Sequence, residues 1–200
     1  ASRSSLREAL RVLEMLGTIR TATGSGPNAG TIVTAAPERA LTLALGLQLV
    51  TSQVSYDHIY EMRLLLECWA AEHSDPARGD WEAAAELLDR MEDPGIPVED
   101  FLRCDAELHA LIAQSAGNPL VSTMMSALRS SIADRTLRRA RSLADWHGTA
   151  KRLCREHREI VAAISGGEGR DAVRLLRAHI RGYYLETEGP DALDEAGPKT

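Results

Sequence analysis

Apolar residues return every three or four positions along most of this chain, the spacing of one helix face. Near the start, Leu6, Leu10, Leu13 and Leu16 form such a row, with Arg3, Arg7 and Arg11 off it. The row predicts a short amphipathic helix with a buried leucine stripe and a wet arginine face. A serine at the front can cap it, Ser5 and Glu8 have capping-box spacing, and Gly17 can close its end in a left-handed conformation. The period then changes. Residues 18–22 and 31–34, rich in Thr, Ile and Val, predict two short strands, with the glycine-containing stretch 23–30 as the turn between them. After a junction at 35–38 the helical period resumes. Helices are expected at 39–51 (Leu41, Leu45, Leu49), 56–74 (Ile59, Met62, Leu66, Ala70), 80–92, 98–116, 119–145, 149–165 and 169–186. Without strands or repeats in this part, an all-helical bundle is the economical architecture. Residues 189–200 read as a polar tail.

Composition changes this picture in two places. A hydrophobic content of 44% is enough for a real core, and Ala, Leu, Arg and Glu, good helix formers, dominate. The net charge of −6 hides a polarity: residues 1–34 hold four arginines against two glutamates, and no acidic residue lies between Glu14 and Glu38. The basic character therefore sits on the helix-and-hairpin segment, which suits local contact with nucleic acid; an acidic whole chain does not suit nonspecific coating of it. Cys68, Cys104 and Cys154 lack metal-type spacing and read as packed thiols in a reducing cytoplasm. No signal peptide is visible, and no apolar run is long enough to span a membrane.

The candidate chemistry lies on the apolar helix faces. At 98–116, Phe101, Leu102, Leu108 and Ile112 define the stripe, and Asp105 and His109 fall within it, four apart. At 149–165, His157 sits among Leu153, Ile160, Val161 and Ile164. At 169–186, His179 sits among Ala172, Leu176, Ile180 and Tyr183. A buried carboxylate or imidazole needs a partner. Three neutral imidazoles and one carboxylate converging from three helices suit a divalent cation such as zinc, nickel or manganese. Each piece alone has a plainer reading: a single core histidine is usually satisfied by hydrogen bonds, and Asp105 with His109 suits a simple bonded pair. His58, His73 and His147 show no comparable pattern and read as surface or loop residues. Glu107 is turned away from the Asp105/His109 face by helical geometry.

The opening Ser2-Arg3-Ser4-Ser5-Leu6-Arg7-Glu8-Ala9-Leu10, then Leu16-Gly17 and a glycine-containing hairpin, resembles the recognition helix and wing of GntR-family bacterial regulators. Tyr60-Glu61-Met62-Arg63-Leu64-Leu65-Leu66-Glu67, Asp105-Ala106-Glu107-Leu108-His109 with Ser115-Ala116-Gly117-Asn118, and Glu156-His157-Arg158-Glu159-Ile160 with His179-Ile180 resemble the FCD effector domain of the FadR-type branch. Departures are Leu108, where that family usually has Phe, and 166–169, where a Gly-Asp turn is usual. The resemblance implies a mostly α protein: a partial winged helix-turn-helix at 1–36, its earlier helices lying upstream in the family, then a helical effector domain at 37–188.

It also implies roles. Asp105, His109, His157 and His179 would hold a divalent metal, zinc first, with nickel or manganese as alternatives. Arg63 would pair with a small carboxylate metabolite, against the plainer reading of a surface salt bridge to Glu67. One arginine of the run Arg135, Arg138, Arg139 and Arg141 could also face the cavity. Ser2, Arg3, Ser4, Ser5 and Arg7, with Thr23 and Gly24 of the wing, would contact operator DNA as part of a cytoplasmic homodimer. A helical-bundle metalloenzyme using the Asp/His3 site is the alternative, weakened by the absence of HExxH, of a di-iron Glu-x-x-His pair and of a general base. A metal-free helical interaction module is a third reading.

Overall fold

The computed structural model describes residues 2–22, 30–33, 37–51 and 54–189. Helix α1 runs Arg3–Met15 and is capped by Ser2, whose Oγ accepts from the Ser5 amide at 3.1 Å. The expected Ser5–Glu8 box therefore does not form: the helix starts early enough that Ser5 already lies in its first turn. Gly17, at φ 71°, closes the other end as expected, and the Thr18 hydroxyl donates to the Leu13 carbonyl at 2.8 Å. Strands β1 (Ile19–Ala22) and β2 (Gly30–Val33) pair antiparallel, with Ile19 opposite Val33. Thr23 and Gly24 lie outside the described residues.

The leucine stripe of α1 is not buried. Leu6 and Leu13 are 57% and 41% exposed, and no residue of the helix is buried. The main neighbour of α1 among the described residues is β1, and one short strand covers little of a helix face.

The chain then folds as a helical bundle: α2 (Pro37–Val50), α3 (Tyr56–Glu72), a short 3₁₀ helix (Pro76–Arg78), α4 (Trp81–Met91), α5 (Val98–Ser115), α6 (Pro119–Ser142), α7 (Trp146–Ser165) and α8 (Gly169–Glu188). The 3₁₀ turn has no counterpart in the sequence pattern, and α7 begins earlier than its periodicity indicates. Asp145 is the reason: its carboxylate accepts from the Gly148 amide at 2.8 Å and caps the helix there. Helix α3 carries a reciprocal cap, in which Ser55 accepts from the His58 amide and His58 Nδ1 accepts from the Ser55 amide.

The main core joins Leu87, Leu88 and Met91 of α4 to Phe101, Leu108 and Ile112 of α5, Ile160 and Ile164 of α7, and Leu176 and Ile180 of α8. Truncating one such side chain to Ala costs about 2–5 kcal/mol. A second cluster, Ile59, Leu128 and Ile132 with Leu45 and Leu49 against them, fastens α2 to α3 and α6. The three cysteines are buried and free, as expected of packed thiols. Among the described residues, no helix is long and apolar enough to cross a membrane. Gly167, at φ 77°, makes the tight reversal that lays α8 back along α7. That reversal sets the register in which His157 and His179 meet.

Candidate metal centre

Asp105 and His109 stand one turn apart on the inner face of α5, opposite His157 of α7 and His179 of α8. The three histidines are 1%, 0% and 4% exposed. His157 Nε2 lies 3.2 Å from His179 Nε2 and 3.1 Å from Asp105 Oδ1, and His109 Nε2 lies 3.7 Å from the same oxygen. One ligand atom from each of the four falls within 4.8 Å of every other. All four residues singled out in the sequence therefore meet at one point, while His58, His73 and His147 are exposed. Glu107 is exposed as well, as its helical position requires.

A ring of buried charge orients these ligands. Glu67 of α3, 3% exposed, is in direct contact with His109 Nδ1 through Oε2. Glu156 Oε2 lies 2.8 Å from His179 Nδ1, and the other oxygen of that carboxylate, Oε1, accepts from Arg152 Nη1 at 2.7 Å. A carboxylate at Nδ1 fixes the proton there and leaves Nε2 as a lone pair aimed inward. Burial, then the Arg129 guanidinium, lowers His109; burial, then neighbouring His157, pushes His179 down to about 3, so both rings are neutral at pH 7. Burial alone would raise Glu67 and Asp105. His109 and Arg63 outweigh it at Glu67, and Arg129 and His157 at Asp105, so both carboxyls sit well below their usual range.

Two guanidiniums complete the ring. Arg129 of α6 contacts Asp105 Oδ2 through Nη2, and its Nη1 is 3.5 Å from Glu67 Oε1. Arg63 Nε donates to Glu67 Oε1 at 2.9 Å. The Arg63–Glu67 pair anticipated at the surface is thus formed, but inside: the two side chains are 12% and 3% exposed. The arginine run of α6 does not supply the cavity. Arg135 and Arg139 bind Glu188, and Arg141 binds Glu99. Arg129, outside that run, is the residue of α6 that reaches the site, because it shares the inner face with Leu128 and Ile132.

The donor set fits a divalent cation. Two inward Nε2 lone pairs at 3.2 Å repel unless a proton or cation lies between them, and that separation suits two nitrogens on one ion at bonds of about 2.1 Å. His109 Nε2 is buried with no hydrogen-bond partner. The two carboxylates, Glu67 and Asp105, balance the two guanidiniums, Arg63 and Arg129, so the surroundings are close to neutral. Beside the cluster opens a cavity of about 320 Å³, with Arg63, Asp105, Arg129 and His179 among its lining.

In the N-terminal part, Ser2, Arg3, Ser4, Ser5 and Arg7 are all exposed on α1. Arg11 pairs with Glu8 at 3.6 Å, an exposed contact worth little.

The family model described as the FCD domain matches residues 58–182, well over half of the chain. The chain belongs to the FCD family. Two transcription regulators resemble it along most of its length. The HTH-type transcriptional regulator LutR of Bacillus subtilis (strain 168) is 27% identical over 196 residues, which span 92% of this chain and 87% of LutR. The HTH-type transcriptional repressor NanR of Salmonella schwarzengrund (strain CVM19633) is 27% identical over 197 residues, 89% of this chain and 67% of NanR. Among solved structures, Streptococcus agalactiae GntR superposes with a TM-score of 0.60 at 25% identity, over 90% of this chain and 80% of that one. The FCD protein is accordingly a GntR-type transcription regulator of the FadR branch, a helix-and-hairpin DNA-reading part joined to a helical effector-binding domain. These relatives are regulators rather than enzymes, and the metalloenzyme alternative falls with them.

Sequence reasoning missed Glu67, Arg129 and Glu156 as site residues. Glu67 had a signal: it lies one turn beyond Arg63 and two turns beyond Ile59, on the side of α3 that carries buried Ala70 and Ala71. Arg129 was flanked by apolar Leu128 and Ile132. Glu156, beside His157, had none, because its role depends on a helix elsewhere in sequence.

Proposed function

We propose that the domain at 37–188 binds a divalent cation through Asp105, His109, His157 and His179, and that a small carboxylate metabolite bound beside it alters operator binding by the part at 1–36, with 189–200 as a tail. The convergence of one donor atom from each of Asp105, His109, His157 and His179 within 4.8 Å, with carboxylates behind two of the rings, carries this reading. Zinc suits the ligand types first, and nickel or manganese also suit them. When bound, the cation supplies positive charge in an otherwise balanced pocket. Arg63 and Arg129 would then hold the carboxylate of the effector. Ser2, Arg3, Ser4, Ser5 and Arg7 would reach phosphates and base edges, with the wing at Thr23 and Gly24, in a homodimer working in the cytoplasm.

Elemental analysis of the purified protein beside an Asp105→Ala/His109→Ala variant tests the core of this. Near-stoichiometric divalent metal in the parent, lost in the variant, is the expected result. A parent that takes up no zinc, nickel or manganese after incubation would remove the metal from the reading.

A further inference from the structure

The cavity beside the ligand cluster is built asymmetrically. Its charged end is Arg63, Asp105, Arg129 and His179. Its walls are mainly Leu102, Ile132, Leu137, Leu153 and Ile180, with the hydroxyl residues Ser130 and Thr136 among them, and exposed Asp134, Glu99 and Arg103 stand at its mouth. Arg63 bonds Glu67 through Nε, and no bond from its two Nη groups is found among the described residues. Tyr183 lines the same space, is 9% exposed, and its hydroxyl is buried without a partner. Burial raises that phenol, so it remains a hydrogen-bond donor.

We infer that the effector is a monocarboxylate with an apolar body, its carboxylate at Arg63 and the Tyr183 hydroxyl and its hydrocarbon along Leu102, Ile132, Leu137, Leu153 and Ile180. This rests on the effector reading above and narrows it. A dicarboxylate or a polyhydroxy acid would set most of its extra polar groups against the aliphatic side chains, with Ser130 and Thr136 as the hydroxyl partners on the walls, which is costly. An aliphatic tail loses water there instead, and each buried methylene tightens binding about fourfold.

The test is calorimetric titration of the zinc-loaded protein with acetate, butanoate, hexanoate, succinate and gluconate, with metal content measured on the same sample. Affinity is expected to climb from acetate to hexanoate by about fourfold per methylene, with succinate and gluconate weaker than butanoate. Leu137→Asn, on a half-buried wall position, should flatten the chain-length series, with retained metal content showing that the bundle is intact. Tyr183→Phe should weaken every acid by the same factor. A flat series, tighter succinate or gluconate, or no binding of any acid to metal-loaded protein would overturn the inference and leave the metal site standing. Failure to hold metal while the chain-length series persists would overturn the metal reading and leave this one standing.

Discussion

Replacing Glu67 by Gln keeps the side-chain volume and removes one negative charge from the centre of the buried network. Three groups then lose a contact with the carboxylate charge: Arg63 Nε at 2.9 Å, Arg129 Nη1 at 3.5 Å, and the neutral His109 ring at Nδ1 in direct contact. Two buried guanidiniums would share the single carboxylate of Asp105, leaving an uncompensated positive charge. Removing one member of a buried ion pair costs about 3–5 kcal/mol, and in a domain of this size each kcal/mol lowers the melting temperature by about 2–4 °C. The metal-free variant should therefore melt about 6–20 °C below the parent. Losing the carboxylate behind His109 should also weaken metal binding by about 10–100-fold. Thermal denaturation followed by circular dichroism, and competition titration with a chromophoric zinc chelator, read the two effects separately. A companion, Glu67→Gln/Arg63→Gln, restores the charge balance and should recover part of the lost stability. The exposed Arg158–Glu92 pair is the control: despite its 2.6 Å contact, both side chains are 43% exposed, and breaking it should cost no more than about 1 kcal/mol. A Glu67→Gln protein that melts within a degree of the parent and binds metal equally well would refute the account of Glu67 as the shared buried counter-ion.

Glu156→Gln should reduce metal affinity by about 10–100-fold with a smaller loss of metal-free stability than Glu67→Gln, because Glu156 is 25% exposed; equal affinity by zinc competition would show that its bond to His179 does not orient the ligand. Metal-free stability should fall on acidification, since His179 is held near 3 against an ordinary value of 6.5 and His109 is lowered too. Between those values the unfolded chain takes up a proton at His179 that the folded chain refuses, so this histidine removes about 1.4 kcal/mol per pH unit from about pH 6.5 down to about pH 3, and His109 acts in the same direction; melting curves that stay level from pH 7 to pH 5 contradict this. Cys68, Cys104 and Cys154 are buried with thiols raised by desolvation, Cys154 to about 11. Labelling with a thiol-reactive disulfide should be slow in the native protein and complete on unfolding, and fast modification of any thiol in the folded state would contradict their packing.

Much of the architecture was legible because helical periodicity is local. The apolar stripes of α5, α7 and α8 marked the inner faces, and any ionisable group within them had to be buried whatever the partner helix. Asp105, His109, His157 and His179 were found this way, without knowing how the helices cross. Where the same logic failed, the local pattern lacked a partner or was overruled by a cap. The Leu6/Leu13 face of α1 has the right period but is exposed, since a stripe predicts burial only if something covers it. The Ser5–Glu8 spacing was right for a box, yet Ser2 capped first.

The sequence by itself determined the helices, the hairpin and the inward-facing positions of Asp105, His109, His157 and His179, because these follow from residue spacing along one chain segment. Only the tertiary structure decided that Glu67, not solvent, stands behind His109, that Arg129 rather than the arginine run of α6 reaches Asp105, and that Arg63 and Glu67 pair inside the bundle. Those facts depend on how α3 and α6 are rotated and shifted against α5, and α7 against α8. That register is set by interlocking side chains, such as Ile59, Leu128 and Ile132 between α3 and α6 and Leu108, Ile160 and Ile180 among α5, α7 and α8, distant in sequence and carrying no signal of which polar group each will bring opposite the site.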